Sequence, residues 1–495
     1  MTAVQRILPV RRELALFDVA HTRMLEQRAA AALPPYTLMA RAGEAVARLA
    51  LAIAPHAQRV WVAAGPGNNG GDGFEAACHL QRWGKQVTVS LTGDAAALPA
   101  DARIALAHAQ AAGVQLDDGM PDAPDLAIDA LLGIGASRAP EGAIEAAIRR
   151  LNALPCPVLA IDLPSGLSAD NGRPLGDTCV TATHTLTMLT LKPGLFTAVG
   201  RDHAGIIWLD TLDVDSAADA PQAWLSGVKA SPMRRHAQHK GSFGDVAVVG
   251  GGPGMSGAAL LAARAAHAAG AGRVFVDVLD EQAAALDLLR PELMFRRGWA
   301  SSAPAVLAAS TVVCGCGGGD AVRAPLPRLL SLARRLVLDA DALNAIASDA
   351  ALAPLLQARS GRGLATVLTP HPLEAARLVG ATTSEVQADR LRAANELAAR
   401  YRCTVVLKGS GSVIAAPGRI ARINSTGNAA LASAGTGDVL AGWLGGRWSQ
   451  LKSGDEAAMA FTAAIQAVAE HGAAAEPQPS GALRADDLIE RLHQR

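Results

Sequence analysis

The feature that most constrains this chain is a rhythm of short apolar runs, each closed by a polar or glycine-rich loop and followed by a helical stretch. From Arg59 the runs are RVWVAAG, QVTVSL, DLAIDALL and VLAIDLPSG, with FEAACHLQRWG, RIALAHAQAAG and AIEAAIRRL between them. Runs too short for a helix that alternate with amphipathic segments imply parallel strands joined by crossover helices. HTLTMLTL and GIIWLDTL add two more strands. Ahead of this series, apolar residues at three- and four-residue steps (Leu14, Phe17, Met24, Leu25, then Leu38, Met39, Val46, Leu49) predict two helices between Arg11 and Ala54.

The rhythm stops between Asp213 and Pro232, where Ala, Asp, Ser and Pro dominate as in a linker. It then resumes with DVAVVGG, a helix from Ser256, GRVFVDVL, STVVCG, RLVLDADAL, TVLTPH and TVVLKG, and ends in Ala-rich helices. The fold class expected is α/β: a Rossmann-like three-layer domain over residues 1–222 and a second α/β domain over 223–495. With 50% hydrophobic residues and 18% charged, the chain can fill two large cores. Lys+Arg 45 balance Asp+Glu 45, so binding to nucleic acid or to a membrane surface has no electrostatic basis, and a small-molecule partner is expected. Six scattered cysteines form no disulfide framework, and neither a signal-type apolar segment nor a membrane-length one is seen, which together point to a reducing cytoplasm.

In the first half, GPGNNGGDG (65–73) lies between a strand and a helix, where free N–H groups and the positive helix end favour an anion. Asn68, Asn69 and Asp72 exceed what a plain phosphate loop needs; their oxygens suit sugar hydroxyls or a monovalent cation, or else serve only a polar turn. Asp129 and Asp162 close two further strands at the edge where open α/β sheets bind ligands, unless they merely cap or turn the chain. GPGNNGGDG, DALLGIG, IDLPSGL and HTLTMLTLKPGL, in this order, resemble the NAD(P)H-hydrate epimerase family over roughly residues 10–215. The resemblance implies that Asn68, Asn69, Gly70, Gly71 and Asp72, with Gly133, Ile134, Gly135, Ala136, Ser137, Arg138 and Ala139, hold the hydrated dinucleotide. It further implies that Asp162 contacts the reacting ring as the catalytic group. Potassium would sit on Asn69, Asp129 and Ser165, an all-oxygen set suited to a hard cation. Pro66 departs from the family, which more often has Lys there.

In the second half, NSTGNAALASAGTGD (424–438) runs into the helix VLAGWLGG. GTGD at a helix start offers a ring of backbone N–H groups to a moving phosphoryl group and one carboxylate, Asp438, to a hydroxyl proton. That pairing resembles the ribokinase-like superfamily. TVVLKGSGSVIA reads as strand, loop, strand, with Lys408 either meeting nucleotide phosphates or exposed on a hairpin. Asp339 and Asp341 lie past a strand end. His371, between two prolines, suits a structural turn. Cys314 and Cys316 form a C-x-C pair, a weak metal signal set against a buried thiol in a glycine turn.

The set HKGSFGDVAVVGG, MSGAALLAARAAHAAGAGRV, RPELM, DADALN, TPHPLE, VVLKGSGSVIA and NSTGNAALASAGTGDVLAG resembles the ADP-dependent NAD(P)H-hydrate dehydratase family over roughly residues 230–490. By position, Ala258, Gly319, His371 and Asp438 would contact the hydrate; Lys408, Gly409, Ser410, Gly411, Ser412 and Gly437 would hold the nucleotide. CGCGGG at 314–319 departs from the family's GPGLG-like turn. The two resemblances together imply a bifunctional repair enzyme that takes NADHX, NADPHX and ADP, with K+ in the first half and Mg2+ in the second. Homo-oligomers are compatible with this. The rival expectation is a vitamin or sugar kinase fused to a non-catalytic nucleotide-binding module.

Overall fold

The computed structural model describes residues 4–117, 119, 123–229, 234–452, 454–478 and 481–495. It divides into two compact units, Met1–Leu8 with Leu14–Ala223, and Pro9–Glu13 with Trp224–Arg495.

The sheet of the first unit runs Gln5–Arg6, Ile206–Asp210, His184–Met188, Val158–Ile161, Leu126–Ala130, Arg59–Ala64, Gln86–Leu91, Gln115–Leu116 in spatial order. Gln5–Arg6 is antiparallel to its neighbour and the other pairings are parallel. Every residue of Leu126–Ala130 and Val158–Ile161 is buried, as expected of strands covered by helices on both faces. Arg59–Ala64 pairs with Gln86–Leu91 on one side and Leu126–Ala130 on the other. Its outgoing loop therefore opens where the strand order reverses, the place at which such sheets bind ligands.

The start of the chain differs from the two helices expected from Arg11. Asp18 caps the first helix by accepting from His21 N at 2.8 Å, so the helix spans Val19–Ala32, and the second spans Thr37–Ile53. Leu14–Leu16 is a strand instead, and Phe17 N donates to Leu191 O at 2.9 Å. The helical spacing of Leu14 and Phe17 is a coincidence: Leu14 is only half-buried, and the buried residues are Leu16 and Phe17 at the end of the extended segment.

In the second unit the order is Met294–Phe295, Arg273–Val278, Asp245–Gly250, Ser310–Cys314, Arg335–Leu338, Ala365–Leu368, Thr404–Leu407, Val413–Ala416, Arg419–Asn424. The sheet is parallel through Thr404–Leu407 and antiparallel beyond it. Strand order reverses at Asp245–Gly250, so the loops after residues 250, 314, 338, 368 and 407 share one edge. Helices Ser256–Ala268, Thr436–Ser449 and Glu456–Ala475 pack their alanines and glycines closely: a Cβ on Gly442 would stand 1.9 Å from Ala262 O. The supposed linker also holds structure, because Ala223–Ser226 is a strand and Ser226 O accepts from Ser425 N at 2.9 Å. Positions 230–232 of that stretch lie outside the described residues.

Candidate active sites

Asn68 begins the helix Asn68–Arg82, so NNGGD is its first turn and not a loop ahead of it. Gly67 caps it without a side-chain hydrogen bond, leaving the helix end to backbone N–H groups. Asn68, Asn69 and Asp72 line a cavity of about 1020 Å³ together with residues 133–139 and Asp162. Gly70 and Gly71 lie beneath it. A Cβ on Gly70 would meet Gly65 O at 2.0 Å, so glycine there serves close packing of the turn.

Asp162 adopts a left-handed φ of 65°, which turns its carboxylate back over the strand ends. Lys192 Nζ lies 2.5 Å from Asp162 Oδ1, and also donates to Thr187 Oγ1 at 2.9 Å and Met188 O at 2.7 Å. The lysine is only 1% exposed, so this ion pair is buried. Asp162 Oδ2 accepts from Ile134 N at 3.2 Å, tying the carboxylate to the loop after Ala130. Glu26, Asp72, Asp101 and Glu141 line the same cavity, and two of these carboxylates are shifted. Burial raises Glu26, and Asp162 adds to that while Lys192 opposes it; burial, Asp162 and Glu26 raise Asp72.

Asp129 is fully buried and accepts from Ser165 N at 2.8 Å, Ser165 Oγ at 2.6 Å and Leu131 N at 3.2 Å. Burial pushes it up to about 6 against those three donors. Asn69 Oδ1 faces Gly133, 3.0 Å from where a Cβ would stand, and Asn69 Nδ2 is buried with no partner among the described residues. A buried carboxylate bonded only by neutral donors fits a hard monovalent cation, to which Asn69 could offer only Oδ1, its unpartnered Nδ2 being a donor.

On the second sheet edge, helix Thr436–Ser449 starts at Gly435 without a side-chain cap. Lys408 Nζ approaches this end, 3.3 Å from where a Cβ on Gly437 would stand, and pairs with Asp339 Oδ1 at 2.7 Å. Asp339 is buried and also accepts from Thr369 Oγ1 at 2.8 Å. Lys408 loses by burial but gains more from Asp339 and Glu374, so its value rises. Asp438 is pushed up to about 7, by burial first and by Asp339 second. A carboxylate in that range suits proton transfer near neutrality. Ala258 packs by Gly317, and Gly319 N donates to Asp341 Oδ2 at 2.8 Å. Gly409 and Ser412 close a turn, with Ser412 Oγ donating to Gly409 O at 3.1 Å. His371 caps helix Pro372–Val379: its Nδ1 accepts from Leu373 N at 3.1 Å, and its Nε2 lies 3.1 Å from Glu374 Oε1. The turn role is thus built, and the half-exposed ring stays at the sheet edge.

The sequence reading passed over Lys192 and Glu26, and it saw in Cys316 only a metal signal or a buried thiol, the second of which the burial bears out. A lysine closing an otherwise buried strand, followed by Pro-Gly, was a usable signal; Glu26, in an alanine-rich helix, carried none. Cys314 and Cys316 are both buried but look to different groups, Cys314 to Asp277 and Cys316 to Asp438 and Asp339.

The family described as NAD(P)H-hydrate dehydratase matches residues 246–493, and the one described as YjeF-related protein N-terminus matches residues 35–194. The bifunctional NAD(P)H-hydrate repair enzyme Nnr of Escherichia coli is 37% identical over 453 residues, 89% of this chain and 85% of that one. The chain belongs to the bifunctional NAD(P)H-hydrate repair enzymes. The Nnr of Coxiella burnetii is 36% identical, covering 96% of this chain and 98% of that one. Among solved structures, the ADP/ATP-dependent NAD(P)H-hydrate dehydratase of Bacillus subtilis, co-crystallised with ATP/Mg2+, is 29% identical, with a TM-score of 0.42, over 53% of this chain and 92% of that one. Membership of this family displaces the rival reading of a kinase fused to a non-catalytic module.

Proposed function

We propose that residues 1–222 epimerise R and S NAD(P)HX, and that residues 223–495 dehydrate S-NAD(P)HX to NAD(P)H with ADP, releasing AMP and phosphate. The observation that carries this reading is Asp438, a carboxylate at about 7 on an uncapped helix start beside Lys408. In the second site Asp438 takes the proton of the hydrate hydroxyl as that oxygen attacks the β-phosphorus of ADP and AMP leaves. The backbone N–H groups at Gly437 and the Lys408 charge stabilise the oxygens of the moving phosphoryl group. The new phosphate ester is a good leaving group. The ring-nitrogen electron pair expels phosphate, and loss of a proton from the neighbouring carbon restores the ring double bond. Residues 408–412 hold the nucleotide, whose phosphate charge Mg2+ would help neutralise, and Ala258, Gly319 and His371 meet the hydrate.

In the first site the helix start at Asn68–Asp72 and residues 133–139 bind the dinucleotide. Asp162 carries the proton that departs and returns with the hydroxyl at the carbinolamine-like carbon, with Lys192 fixing the carboxylate's direction. Asn69, Asp129 and Ser165 would hold potassium, which would supply a fixed positive charge to that end of the site. The six cysteines are free thiols, and no helix among the described residues is long and apolar enough to cross a membrane.

The test is recovery of reduced-nicotinamide absorbance from a mixture of both hydrate epimers with Mg2+ and ADP. Recovery of the whole mixture, faster than spontaneous epimerisation, is expected. Recovery that stops at the S fraction would remove the epimerase assignment, and a stable phosphorylated product in place of free phosphate would remove the dehydratase one.

A further inference from the structure

Cys316 stands where the mechanism above has no role for it. It is fully buried at the centre of Gly315-Cys316-Gly317, and both glycines have positive φ, 120° and 58°. Neither neighbour can be replaced cheaply. A Cβ on Gly315 would stand 2.0 Å from Asp339 O, and one on Gly317 would stand 2.7 Å from Ala258 Cβ. The turn is therefore clamped on both sides, and it holds the thiol in one place. Cys316 O accepts from Gly251 N at 2.9 Å, anchoring the turn to the adjacent strand end.

The sulfur and one carboxylate oxygen each of Asp339 and Asp438 lie within 4.8 Å of one another. Lys408 and Thr369 both bond Asp339 Oδ1, at 2.7 and 2.8 Å, and the thiol's own side-chain hydrogen bond is to Asp438. Burial holds the thiol far above its ordinary value, so the sulfur keeps its proton and can only donate. Asp438 itself is only partly buried. We propose that Cys316 is a positioning residue of the dehydratase: its S–H donates to Asp438 from behind, fixing the carboxylate toward the hydrate hydroxyl and stabilising its ionised form. This rests on the assignment of Asp438 as the base.

The charges around Asp438 make the contribution measurable. Asp339 and Asp341, from the strand end at Leu338, disfavour its ionisation; Lys408, from the strand end at Leu407, favours it. His471, on helix Glu456–Ala475, packs under the same helix end with Nε2 2.9 Å from Thr436 O, and burial lowers it to about 4, so it stays neutral near pH 7. Cys316 is thus the one neutral side chain among these groups that favours the carboxylate by a hydrogen bond. A family-like GPGLG turn has proline in its place, which offers no donor.

The experiment is the pH profile of ADP-dependent dehydration by the full chain, measured for wild type, Cys316→Ala, Cys316→Ser and Asp438→Asn. Loss of the donor should move the ascending limb of Cys316→Ala upward by about one pH unit, because a hydrogen bond to a charged group is of that order. The rate then falls about tenfold on the acid limb and converges with wild type at high pH. Cys316→Ser keeps a donor, so its limb should return toward that of wild type. In the native protein, the infrared S–H band should shift as Asp438 ionises, and that shift should vanish in Asp438→Asn. A Cys316→Ala profile that superimposes on wild type, or that falls equally at every pH, overturns the inference, as does an S–H band indifferent to pH. If Asp438→Asn dehydrates at the wild-type rate, the assignment of the base itself fails, and the Cys316 variants are not needed to see it.

Discussion

Replacing Lys192 by Met tests the first site most severely. The side chain is 1% exposed, and its three hydrogen bonds go to Asp162 at 2.5 Å, Thr187 at 2.9 Å and Met188 O at 2.7 Å. Two unit charges at that separation attract by about 7 kcal/mol at an effective dielectric constant of about 20, most of it offset by desolvation of both groups. Removing only the lysine forfeits the attraction but leaves the carboxylate buried, which costs about 3–5 kcal/mol. For a unit of roughly 200 residues that lowers its melting temperature by about 6–20 °C. Calorimetry of the full chain should show the first unit's transition displaced and the second's unmoved. Epimerisation should be lost while ADP-dependent dehydration of the S epimer continues. The double variant Lys192→Met, Asp162→Leu carries no orphaned charge, so it should recover most of the stability and none of the epimerase activity. A single variant within about 1 kcal/mol of wild type, or a double variant no more stable than the single one, would refute the reasoning.

Asp438→Asn should lower dehydration by about 10²–10⁴-fold and leave epimerisation intact, as separate progress curves for the two reactions will show. Because the base acts ionised, wild-type dehydration should climb with pH up to about 7 and level off above it; a rate that declines over that interval would contradict the assignment. Exchanging potassium for a bulky organic cation should slow epimerisation and destabilise the first unit in wild type, and Asp129→Asn should lose that sensitivity, read by activity and by melting temperature. Glu75 gives an acid-stability test. Burial alone would raise it, but hydrogen bonds from His79, Tyr36 and His108 prevail and bring it to about 2. The folded value lies below the unfolded one of roughly 4.3, so its stabilisation is complete above that pH and drains away as pH falls toward 2. Glu75→Gln should flatten that acid limb by about 2–3 kcal/mol in denaturant titrations.

The strands from Arg59 onward were legible because buried parallel strands are continuous apolar runs, and Asp129, Asp162 and Lys408 were legible because they end such runs. Leu14–Leu16 was misread because two apolar residues three apart, Leu14 and Phe17, look the same in a helix as in a strand followed by a capped turn. Ala223–Ser226 was hidden in a polar stretch, since its pairing is decided by residues two hundred positions away such as Ser425. The carboxylates proposed as catalytic could be placed, but not their partners. That Lys192 reaches Asp162, or that Cys316 reaches Asp438, depends on loops from different strands meeting at one edge, and no local spacing records that. The Cys316 case is instructive because its flanking glycines suggested only a turn, while the turn's purpose lies in what it aims.

The short arm Pro9–Glu13 belongs to the second unit although it lies more than two hundred residues upstream of the rest of it. Within that unit Glu13 pairs with Arg422 at 3.2 Å and with Lys229 at 3.5 Å. The chain therefore contributes to the second unit twice, once through this arm and once from Trp224 onward. A gene cut at the linker would yield a C-terminal fragment missing its own ion-pair partner, and an N-terminal fragment carrying five residues that belong elsewhere. Splitting this fusion into two independent genes would require the arm to be replaced or rebuilt, so the arm favours inheritance of the two activities as one reading frame.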